Sequence, residues 1–389
     1  MQHVVVVGGG LAGARSVEQL RRRGFAGRIT LVGEEHAPPY DRPPLSKAVL
    51  SGERDDTTLQ VDFDALAIDF RPGVAATRLS LDDRVVDTSA GPIGFDRLVI
   101  ATGSRPVQLP GRGEQVVVRT AADARRLRGR LNAGARVVIV GAGWIGAEVA
   151  TAARARGCAV TVVESEAAPL SRVLGEEVGR RLLPWWDGIE LLLGSGVEAV
   201  SEGGVLLTDG RYVAADVVVT GVGVRPVTGW LEGSGLEIDR GVVVDEWMRA
   251  APGVVAVGDV AAWWSRRWNR RMRTEHWDDA ASAPAVAAAA LLAADLASMP
   301  PYDPVPYFWS DQFGHKLQYA GVHSPDDKLI WRDGGAAWAA TWVDGAGRLT
   351  AVLVADRPKD FRQARLAIHT GSVIDVERLA DPDIAIADL

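Results

Sequence analysis

The sequence predicts an α/β fold in which one β-turn-α-β unit occurs twice and a C-terminal α+β domain follows. Two glycine motifs support this prediction, because each follows a run of valines and isoleucines and opens a helical pattern. The third observation is a strand-rich pattern beyond about residue 304, with Trp331, Trp338 and Trp342 on the strand-like stretches. A chain of 389 residues is long enough for two or three such cores.

The first unit begins with a valine run at residues 4–7 and continues into a motif formed by Gly8, Gly10 and Gly13. The first glycine permits a tight turn, the second lets a pyrophosphate approach the backbone, and the third lets the helix pack on the strand. A second strand pattern at residues 28–33 ends at Glu34. An acid at that position accepts hydrogen bonds from the ribose of an adenosine, so the unit predicts a dinucleotide site.

The second unit repeats this order with Gly141, Gly143 and Gly146, and its second strand pattern ends at Glu164. Two complete copies imply two dinucleotides. Because a nicotinamide cofactor needs an acceptor and a tightly held flavin is the usual one, we expect FAD at one site and NADH at the other. The sequence places no arginine directly beside Glu164 to receive a 2′-phosphate, which favours NADH over NADPH.

Composition excludes several classes of protein. The formal net charge of −7 argues against nucleic acid as the general partner. The longest apolar run, residues 285–294, is half the roughly 20 residues that span a bilayer, so we expect an Ala-rich packed helix after Pro284 and no membrane segment. No secretory leader pattern precedes the first strand, which favours the cytoplasm. The six histidines are scattered without ligand spacing, so no metal site is predicted.

Three further segments resemble the flavoprotein disulfide reductase superfamily: residues 101–103 (Ala-Thr-Gly), 221–226 and 257–259 (Val-Gly-Asp). The resemblance implies a glutathione-reductase-like fold with two Rossmann-like dinucleotide-binding domains and a C-terminal α+β domain. It also implies that the N-terminal unit binds FAD, that the middle unit binds NAD(P)H, and that Asp259 binds the ribityl chain of the flavin.

Cysteine content separates the branches of this superfamily. Disulfide reductases need a cysteine pair, and this sequence has one cysteine, Cys158, which precedes the second strand of the NAD unit. Residues 39–47, 119–123, 275–280 and 308–312 resemble NADH-dependent ferredoxin reductases of the putidaredoxin reductase type, which serve Rieske dioxygenases and haem-thiolate monooxygenases. The implied activity transfers hydride from NADH to FAD and then passes single electrons to an iron-sulfur ferredoxin.

The resemblance also implies site residues. The catalytic candidates are Lys47 and Glu148, expected as an ion pair beside the flavin, and Trp309, expected as the exit for electrons. The cofactor-binding candidates are Gly8, Gly10, Ala12, Gly13, Glu34, Arg42, Lys47, Ala76, Ala101, Thr102, Gly103, Arg119, Gly141, Gly143, Trp144, Ile145, Gly146, Glu164, Gly223, Gly258, Asp259, Glu275, His276 and Trp277.

The predicted domains are an FAD-binding domain at residues 1–112 and 232–304, an NAD-binding domain at 113–231, and a C-terminal domain at 305–389. Five arginines among tryptophans form a local basic patch on an acidic chain, and we expect it to dock the ferredoxin: Arg266, Arg267, Arg270, Arg271 and Arg273. A solvated Arg-rich hairpin is the alternative. We expect a monomer or weak dimer.

Two other functions stay open at this point. One is an FAD- and NADH-dependent oxidoreductase that acts directly on a small organic substrate. The other is a redox-sensing protein in which the flavin reports NADH and the Arg and Trp patch binds a partner.

Overall fold

The computed structural model describes residues 2–296 and 298–389. The strands up to the middle of the chain are His3–Val7 (β1), Arg28–Gly33 (β2), Ile68–Pro72 (β3), Ala76–Ser80 (β4), Val85–Thr88 (β5), Ile93–Gly94 (β6), Arg97–Ile100 (β7), Ser104–Pro106 (β8), Arg136–Val140 (β9), Ala159–Val163 (β10), Glu190–Leu192 (β11), Val197–Ser201 (β12), Gly204–Leu207 (β13), Tyr212–Ala214 (β14), Val217–Thr220 (β15) and Val224–Pro226 (β16). The later strands are Val242–Val244 (β17), Arg249–Ala251 (β18), Val254–Ala256 (β19), Ala261–Ser265 (β20), Arg270–Met272 (β21), Tyr307–Gln312 (β22), His315–Gly321 (β23), Lys328–Gly334 (β24), Ala337–Val343 (β25) and Leu349–Ala355 (β26).

The α-helices are Leu11–Arg22 (α1), Ala48–Ser51 (α2), Ala121–Arg130 (α3), Trp144–Ala155 (α4), Ser171–Leu174 (α5), Glu176–Leu182 (α6), Trp277–Leu292 (α7), Pro358–Thr370 (α8) and Val376–Leu379 (α9). Short 3₁₀ helices occur at Leu183–Trp186, Gly229–Leu231, Gly258–Val260 and Ile386–Asp388.

The chain divides into two compact units. The first contains the residues up to Asp41, Thr58–Arg105 and Arg225–Pro306, and the second contains Arg42–Thr57, Pro106–Val224 and Tyr307–Leu389. The three-domain division stated above stays a prediction.

A six-stranded sheet with the order β18-β19-β7-β1-β2-β3 forms the centre of the first unit. β1 pairs in parallel with β2 and with β7, and the side chains of Val4, Val5 and Val6 are fully buried. A parallel sheet is covered on both faces, which explains why this strand is a continuous apolar run without alternation. α1 and α7 pack against each other in this unit.

The helix expected after Pro284 is longer than predicted. α7 begins at Trp277 and passes through Pro284, which is buried in its interior. Asp278 and Asp279 lie in its first turn, where negative charge is favoured by the helix dipole. The prediction was wrong about the start because it took the proline as a boundary, whereas this proline removes one hydrogen bond inside a helix that tertiary packing stabilises.

The second unit contains two main sheets. A four-stranded parallel sheet has the order β11-β10-β9-β15, and a five-stranded antiparallel sheet has the order β22-β23-β26-β25-β24. α4 packs against β9 and β10 and also against β22 of the antiparallel sheet. The mainly parallel six-stranded sheet, in which only β18 is antiparallel, the parallel four-stranded sheet and the antiparallel C-terminal sheet confirm the predicted α/β fold with a C-terminal α+β domain.

Candidate functional site

The first glycine motif has a distinct structural requirement at each glycine. Gly8 has a φ of +123°, and a Cβ there would lie 2.1 Å from the carbonyl oxygen of Ala101. A Cβ on Gly13 would lie 1.9 Å from the carbonyl oxygen of Gly8, so the third glycine lets α1 approach β1. A Cβ on Gly10 would meet no atom within 4 Å. The open space beside Gly10 fits a pyrophosphate that approaches the backbone.

The second motif repeats these features in the second unit. Gly141 has a φ of +101°, and a Cβ on Gly146 would lie 2.0 Å from the carbonyl oxygen of Gly141. A Cβ on Gly143 would again meet nothing within 4 Å. Gly10 and Gly143 are the N-cap residues of α1 and α4, and a glycine has no side chain to cap a helix. The first backbone N–H groups of both helices can therefore bind a phosphate.

Glu34 follows β2, as the sequence predicts. Nη2 of Arg105 lies 2.6 Å from both carboxylate oxygens of Glu34, and both side chains are more than half exposed. A carboxylate has lone pairs left for ribose hydroxyls when one donor binds both oxygens. No local pattern in the sequence indicates Arg105 as a site residue, because the pairing joins positions 71 residues apart.

Glu164 follows β10, and the backbone fixes its carboxylate. Oε2 accepts a hydrogen bond from the N–H of Ala142 at 2.7 Å, inside the glycine motif, and Oε1 accepts one from the N–H of Glu166 at 2.9 Å. This geometry holds an acid beside the motif, where a ribose is expected.

The nearby acid Glu166 has an arginine partner. Nη2 of Arg172 is 2.9 Å from Oε1 of Glu166, two residues beyond Glu164. Arg172 lies on α5, eight positions from Glu164 along the chain, and the expectation that no arginine beside Glu164 receives a 2′-phosphate stays a prediction. Its partner Glu166 neutralises it.

The predicted ion pair between Lys47 and Glu148 is present. Nζ of Lys47 lies 2.8 Å from Oε1 of Glu148, and the side chains are 18% and 2% exposed. Lys47 follows a proline-rich turn, and its N–H donates to the carbonyl of Pro44 while Nζ lies 3.3 Å from the carbonyl of Pro43. The prolines fix φ and restrict the turn, which holds the ammonium group in one place.

Two serines complete the environment of Glu148. The hydroxyl of Ser46 donates to Oε2, and the hydroxyl of Ser310 on β22 donates to Oε1 at 2.5 Å. Nε2 of Gln312 donates in turn to the hydroxyl oxygen of Ser310 at 3.2 Å. Three donors, from Lys47, Ser46 and Ser310, thus reach the two oxygens of the Glu148 side chain. Both serines belong to segments that the sequence analysis singled out, yet neither was proposed as a site residue.

Trp309 precedes Ser310 on β22 and is partly buried. Its ring stacks on Tyr307 with centroids 5.8 Å apart, and the guanidinium of Arg365 lies 4.9 Å from the centre of the Tyr307 ring. Because successive side chains of a strand point to opposite faces, Trp309 and Ser310 lie on different faces of the sheet.

The remaining candidates of the second unit lie in three places. Nη1 of Arg42 donates to the carbonyl of Arg119 at 2.5 Å, so these two predicted FAD residues contact each other. Trp144, the first residue of α4, packs edge-to-face on Phe308 with centroids 4.5 Å apart. Ile145 is 41% exposed, and Gly223 has a φ of +108°.

In the first unit, the predicted ribityl-binding acid is held by a neighbouring strand. Oδ2 of Asp259 accepts a hydrogen bond from the hydroxyl of Ser104 at 2.7 Å. A Cβ on Gly258 would lie 3.1 Å from Cβ of Ala12, so the Val-Gly-Asp segment lies at the start of α1. Thr102 donates its hydroxyl to the carbonyl of Val227 at 2.8 Å.

The other candidates of this unit lie on several elements. Ala101 is buried, Gly103 has a φ of +66°, and Ala76 opens β4. Nε1 of Trp277 donates to Asp41 at 2.8 Å. Glu275 is 2.7 Å from Nη2 of Arg273.

His276 belongs to a buried polar cluster at the start of α7. Burial lowers the pKa of His276, and burial raises the pKa of Asp279, whose carboxylate lies 3.9 Å from the imidazole. Asp279 accepts hydrogen bonds from the hydroxyls of Thr274 and Tyr302. These bonds satisfy a carboxylate that burial disfavours.

The Arg-rich segment is an antiparallel hairpin of β20 and β21. Two of its arginines are paired with acids of the same unit, since Arg266 contacts Glu246 and Arg273 contacts Glu275. Among the residues that the structure describes, Arg270 and Arg271 have no salt bridge, and Trp264, opposite Arg271, is 39% exposed. The patch is therefore less basic than the sequence alone indicates.

Within residues 2–296 and 298–389, no group of three or more histidine, cysteine or acidic side chains is placed to hold a metal ion. The helices of the same residues include none that is long and apolar enough to cross a membrane.

Comparison with known proteins agrees with these observations. Residues 2–283 match the family model of pyridine nucleotide-disulphide oxidoreductases, and residues 307–389 match the reductase C-terminal model. The chlorobenzene dioxygenase ferredoxin reductase component of Cupriavidus sp. strain PS12 is 38% identical, covering 100% of this chain and 97% of that protein.

Two crystal structures are also similar. Fdr9 superposes with a TM-score of 0.96 at 54% identity, covering 99% of both chains. Putidaredoxin reductase, in its covalent complex with putidaredoxin, superposes with a TM-score of 0.93 at 31% identity, covering 100% of this chain and 97% of that one.

Proposed function

The chain belongs to the pyridine nucleotide-disulphide oxidoreductase family, and we propose that it is the NADH-dependent, FAD-containing reductase of an iron-sulfur ferredoxin that serves an oxygenase. FAD and NAD(H) are the cofactors that this membership implies. The similar proteins named above support the proposal because each covers 99% or more of the chain, one is a ferredoxin reductase component by name, and another is a putidaredoxin reductase in complex with putidaredoxin.

The observation that carries the proposal is the buried ion pair of Lys47 with Glu148 on α4, the helix that the second glycine motif opens. A disulfide substrate normally requires a pair of cysteines in the enzyme, and the sequence has one cysteine. Burial raises the pKa of the Cys158 thiol, so this residue is not an activated nucleophile. A charged pair without a thiol suits hydride transfer followed by delivery of electrons to a protein.

Different sets of residues bind FAD and NADH. Bound FAD supplies the ability to accept two electrons as hydride and to release them one at a time. The motif of Gly8, Gly10 and Gly13 with Glu34 holds its adenosine and pyrophosphate, and Asp259 binds its ribityl chain. The second motif with Glu164 holds NADH.

Lys47 and Glu148 provide a fixed dipole for the transfer. The carboxylate accepts hydrogen bonds on both oxygens, so it does not reorient when charge moves nearby. The ammonium group of Lys47 is fixed by the same carboxylate and stabilises negative charge that develops next to it. Trp309 provides an aromatic path out of the second unit, stacked on Tyr307.

The hairpin of β20 and β21 docks the ferredoxin. Arg270 and Arg271 steer an acidic partner, and the exposed ring of Trp264 adds an apolar contact. A transient electron-transfer complex needs a fast association more than tight affinity, and complementary charge provides this. The cytoplasmic location and the monomer or weak dimer stay predictions.

The test is cytochrome c reduction by the purified FAD-bound protein with NADH, with and without a two-iron ferredoxin, and with NADPH as the control. We expect strong dependence on ferredoxin. Rapid bleaching of the flavin by NADH without ferredoxin-dependent turnover would instead favour direct reduction of a small molecule.

A further inference from the structure

Glu148 is held by more groups than its ion pair with Lys47 requires. Three donors reach its carboxylate: the ammonium of Lys47, the hydroxyl of Ser46 and the hydroxyl of Ser310. Lys47 and Ser310 both bind Oε1, and Ser46 binds Oε2. All of these groups lie in the second unit, and both serines are at most 3% exposed.

The direction of the hydrogen bonds shows what Ser310 does. Its single proton goes to Glu148, so its oxygen is an acceptor for the Nε2 group of Gln312. Gln312 is 1% exposed, and its Oε1 has no hydrogen-bond partner among the residues that the structure describes. A buried amide oxygen without a partner costs stability. Packing alone therefore does not explain the glutamine, whereas orienting the Ser310 hydroxyl does.

The strand that carries Ser310 belongs to the C-terminal part of the chain. β22 packs against α4, the helix of Glu148, and Ser310 is 162 positions from Glu148 in sequence. The C-terminal sheet thus supplies a hydrogen bond to a carboxylate of the nucleotide-binding part of the same unit.

We propose that Ser310, oriented by Gln312, is a positioning residue that fixes the Glu148 carboxylate for hydride transfer. The inference rests on the proposed function, because Glu148 matters for rate only if NADH reduces a bound flavin. Its physical basis is that a carboxylate held by directed donors keeps one orientation, and misplacement of such a group slows a reaction without weakening substrate binding.

The first measurement is the limiting rate of flavin reduction by NADH in anaerobic stopped flow, with the apparent Kd for NADH from the same data. We expect Ser310→Ala to lower the limiting rate about tenfold and to change the Kd by less than about twofold, the pattern of a lost transition-state contact. Thr341→Val is the matched control, because it removes another buried hydroxyl of the same sheet, one that donates to the carbonyl of Ile330.

A second measurement does not depend on activity. In the FAD-bound full chain, the loss in Tm caused by Ser310→Ala should be smaller in a Glu148→Met background, because the acceptor of the hydroxyl is then gone, although the bond from Gln312 is lost in both backgrounds. The loss caused by Thr341→Val should be the same in both backgrounds.

The outcomes separate the two claims. If NADH does not reduce the flavin of the unmodified protein, the proposed function is wrong. If NADH does reduce the flavin, two results together would show that the positioning role is wrong. Ser310→Ala and Thr341→Val would give the same limiting rate of flavin reduction, and the loss in Tm caused by Ser310→Ala would be the same with and without Glu148→Met. Should Ser310→Ala fail to fold, Ser310→Cys keeps the side-chain volume with a weaker donor, and the same two readouts apply to it.

Discussion

Arg172 and Glu166 form an ion pair with 2.9 Å between Nη2 and Oε1, on the segment that begins with the ribose-binding candidate Glu164. The arginine is 76% exposed at its side chain and the glutamate 38%. A cation of the kind that binds a 2′-phosphate is therefore present on the segment that follows Glu164 and is paired with an acid. This relationship leads to the first prediction.

Removing both acids should admit NADPH. Glu164→Ser should raise kcat/KM for NADPH because it removes like-charge repulsion, and Glu164→Ser with Glu166→Ser should raise it about tenfold further because Arg172 is released to bind the phosphate. Steady-state reduction of a ferredoxin with each cofactor measures the ratio of kcat/KM for NADPH to kcat/KM for NADH. The control adds Arg172→Gln to the double variant and should cancel the second gain. If this ratio is the same in Glu164→Ser and in Glu164→Ser with Glu166→Ser, Arg172 does not reach the phosphate.

Loss of the Glu148 charge should slow hydride transfer more than it affects FAD binding. Glu148→Gln leaves the ammonium of Lys47 without its charged partner, and we expect the limiting rate of flavin reduction to fall about tenfold to a hundredfold. Rapid mixing with NADH gives the rate, and equilibrium titration gives the affinity for FAD. Glu198→Gln, on an exposed edge of β12 in the same unit, is the control for an equal change of charge. Unchanged reduction would remove Glu148 from the mechanism.

Charge reversal on the hairpin should weaken ferredoxin docking. Arg270→Glu with Arg271→Glu should raise the apparent KM for ferredoxin about tenfold at low ionic strength and flatten its dependence on salt, since both arginines act through screened attraction. Cytochrome c reduction at several salt concentrations tests this. Arg22→Glu with Arg23→Glu changes charge equally at the end of α1, and ferredoxin kinetics that respond equally to both pairs would refute a local docking site.

Asp69 should contribute stability that acid removes. The hydrogen bond from Arg71 is the main cause that lowers the pKa of Asp69 to about 2, and Arg28 and Thr30 add to it against the effect of burial. Because the folded pKa lies below the unfolded value of 3.8, the stabilisation is complete above about pH 4.5 and is lost as pH falls from 3.8 through about 2.

Asp69→Asn should therefore lower the free energy of unfolding by about 1 kcal/mol at neutral pH, a figure reduced for a carboxylate that solvent screens. Urea unfolding at pH 7 and at pH 3 measures the free energy of unfolding of the variant and of the unmodified protein. The difference between the two free energies should be smaller at pH 3. Asp82→Asn, in an exposed turn, should show no such narrowing. If the difference in the free energy of unfolding between Asp69→Asn and the unmodified protein does not change with pH, Arg71 and Arg28 do not stabilise the ionised form of Asp69.

Local patterns were enough to predict the fold and the Lys47–Glu148 contact, while the roles of the site residues stay predictions. The two glycine motifs, their acids and the Lys47–Glu148 pair were predicted because each depends on short motifs with a defined geometry or on a resemblance over long segments. The contacts that were missed join distant positions: Ser310 to Glu148, Arg105 to Glu34 and Arg172 to Glu166. Side-chain partners of this kind depend on how the chain folds back on itself, and no periodicity records them. The start of α7 was wrong because tertiary packing outweighed the helix-breaking tendency of Pro284.

The middle glycine of each motif is under a different constraint from the first and third glycines. The first and third glycines are required by the fold, since a Cβ at Gly8, Gly13, Gly141 or Gly146 would collide with the backbone. A Cβ on Gly10 or Gly143 would meet no protein atom within 4 Å, so the fold does not require glycine there and a bound nucleotide would be the reason for it. A descendant of this gene can therefore lose a cofactor through one substitution and keep its architecture. Relatives that retain the outer glycines while varying the central one are the sequences in which to look for proteins that have given up nucleotide binding.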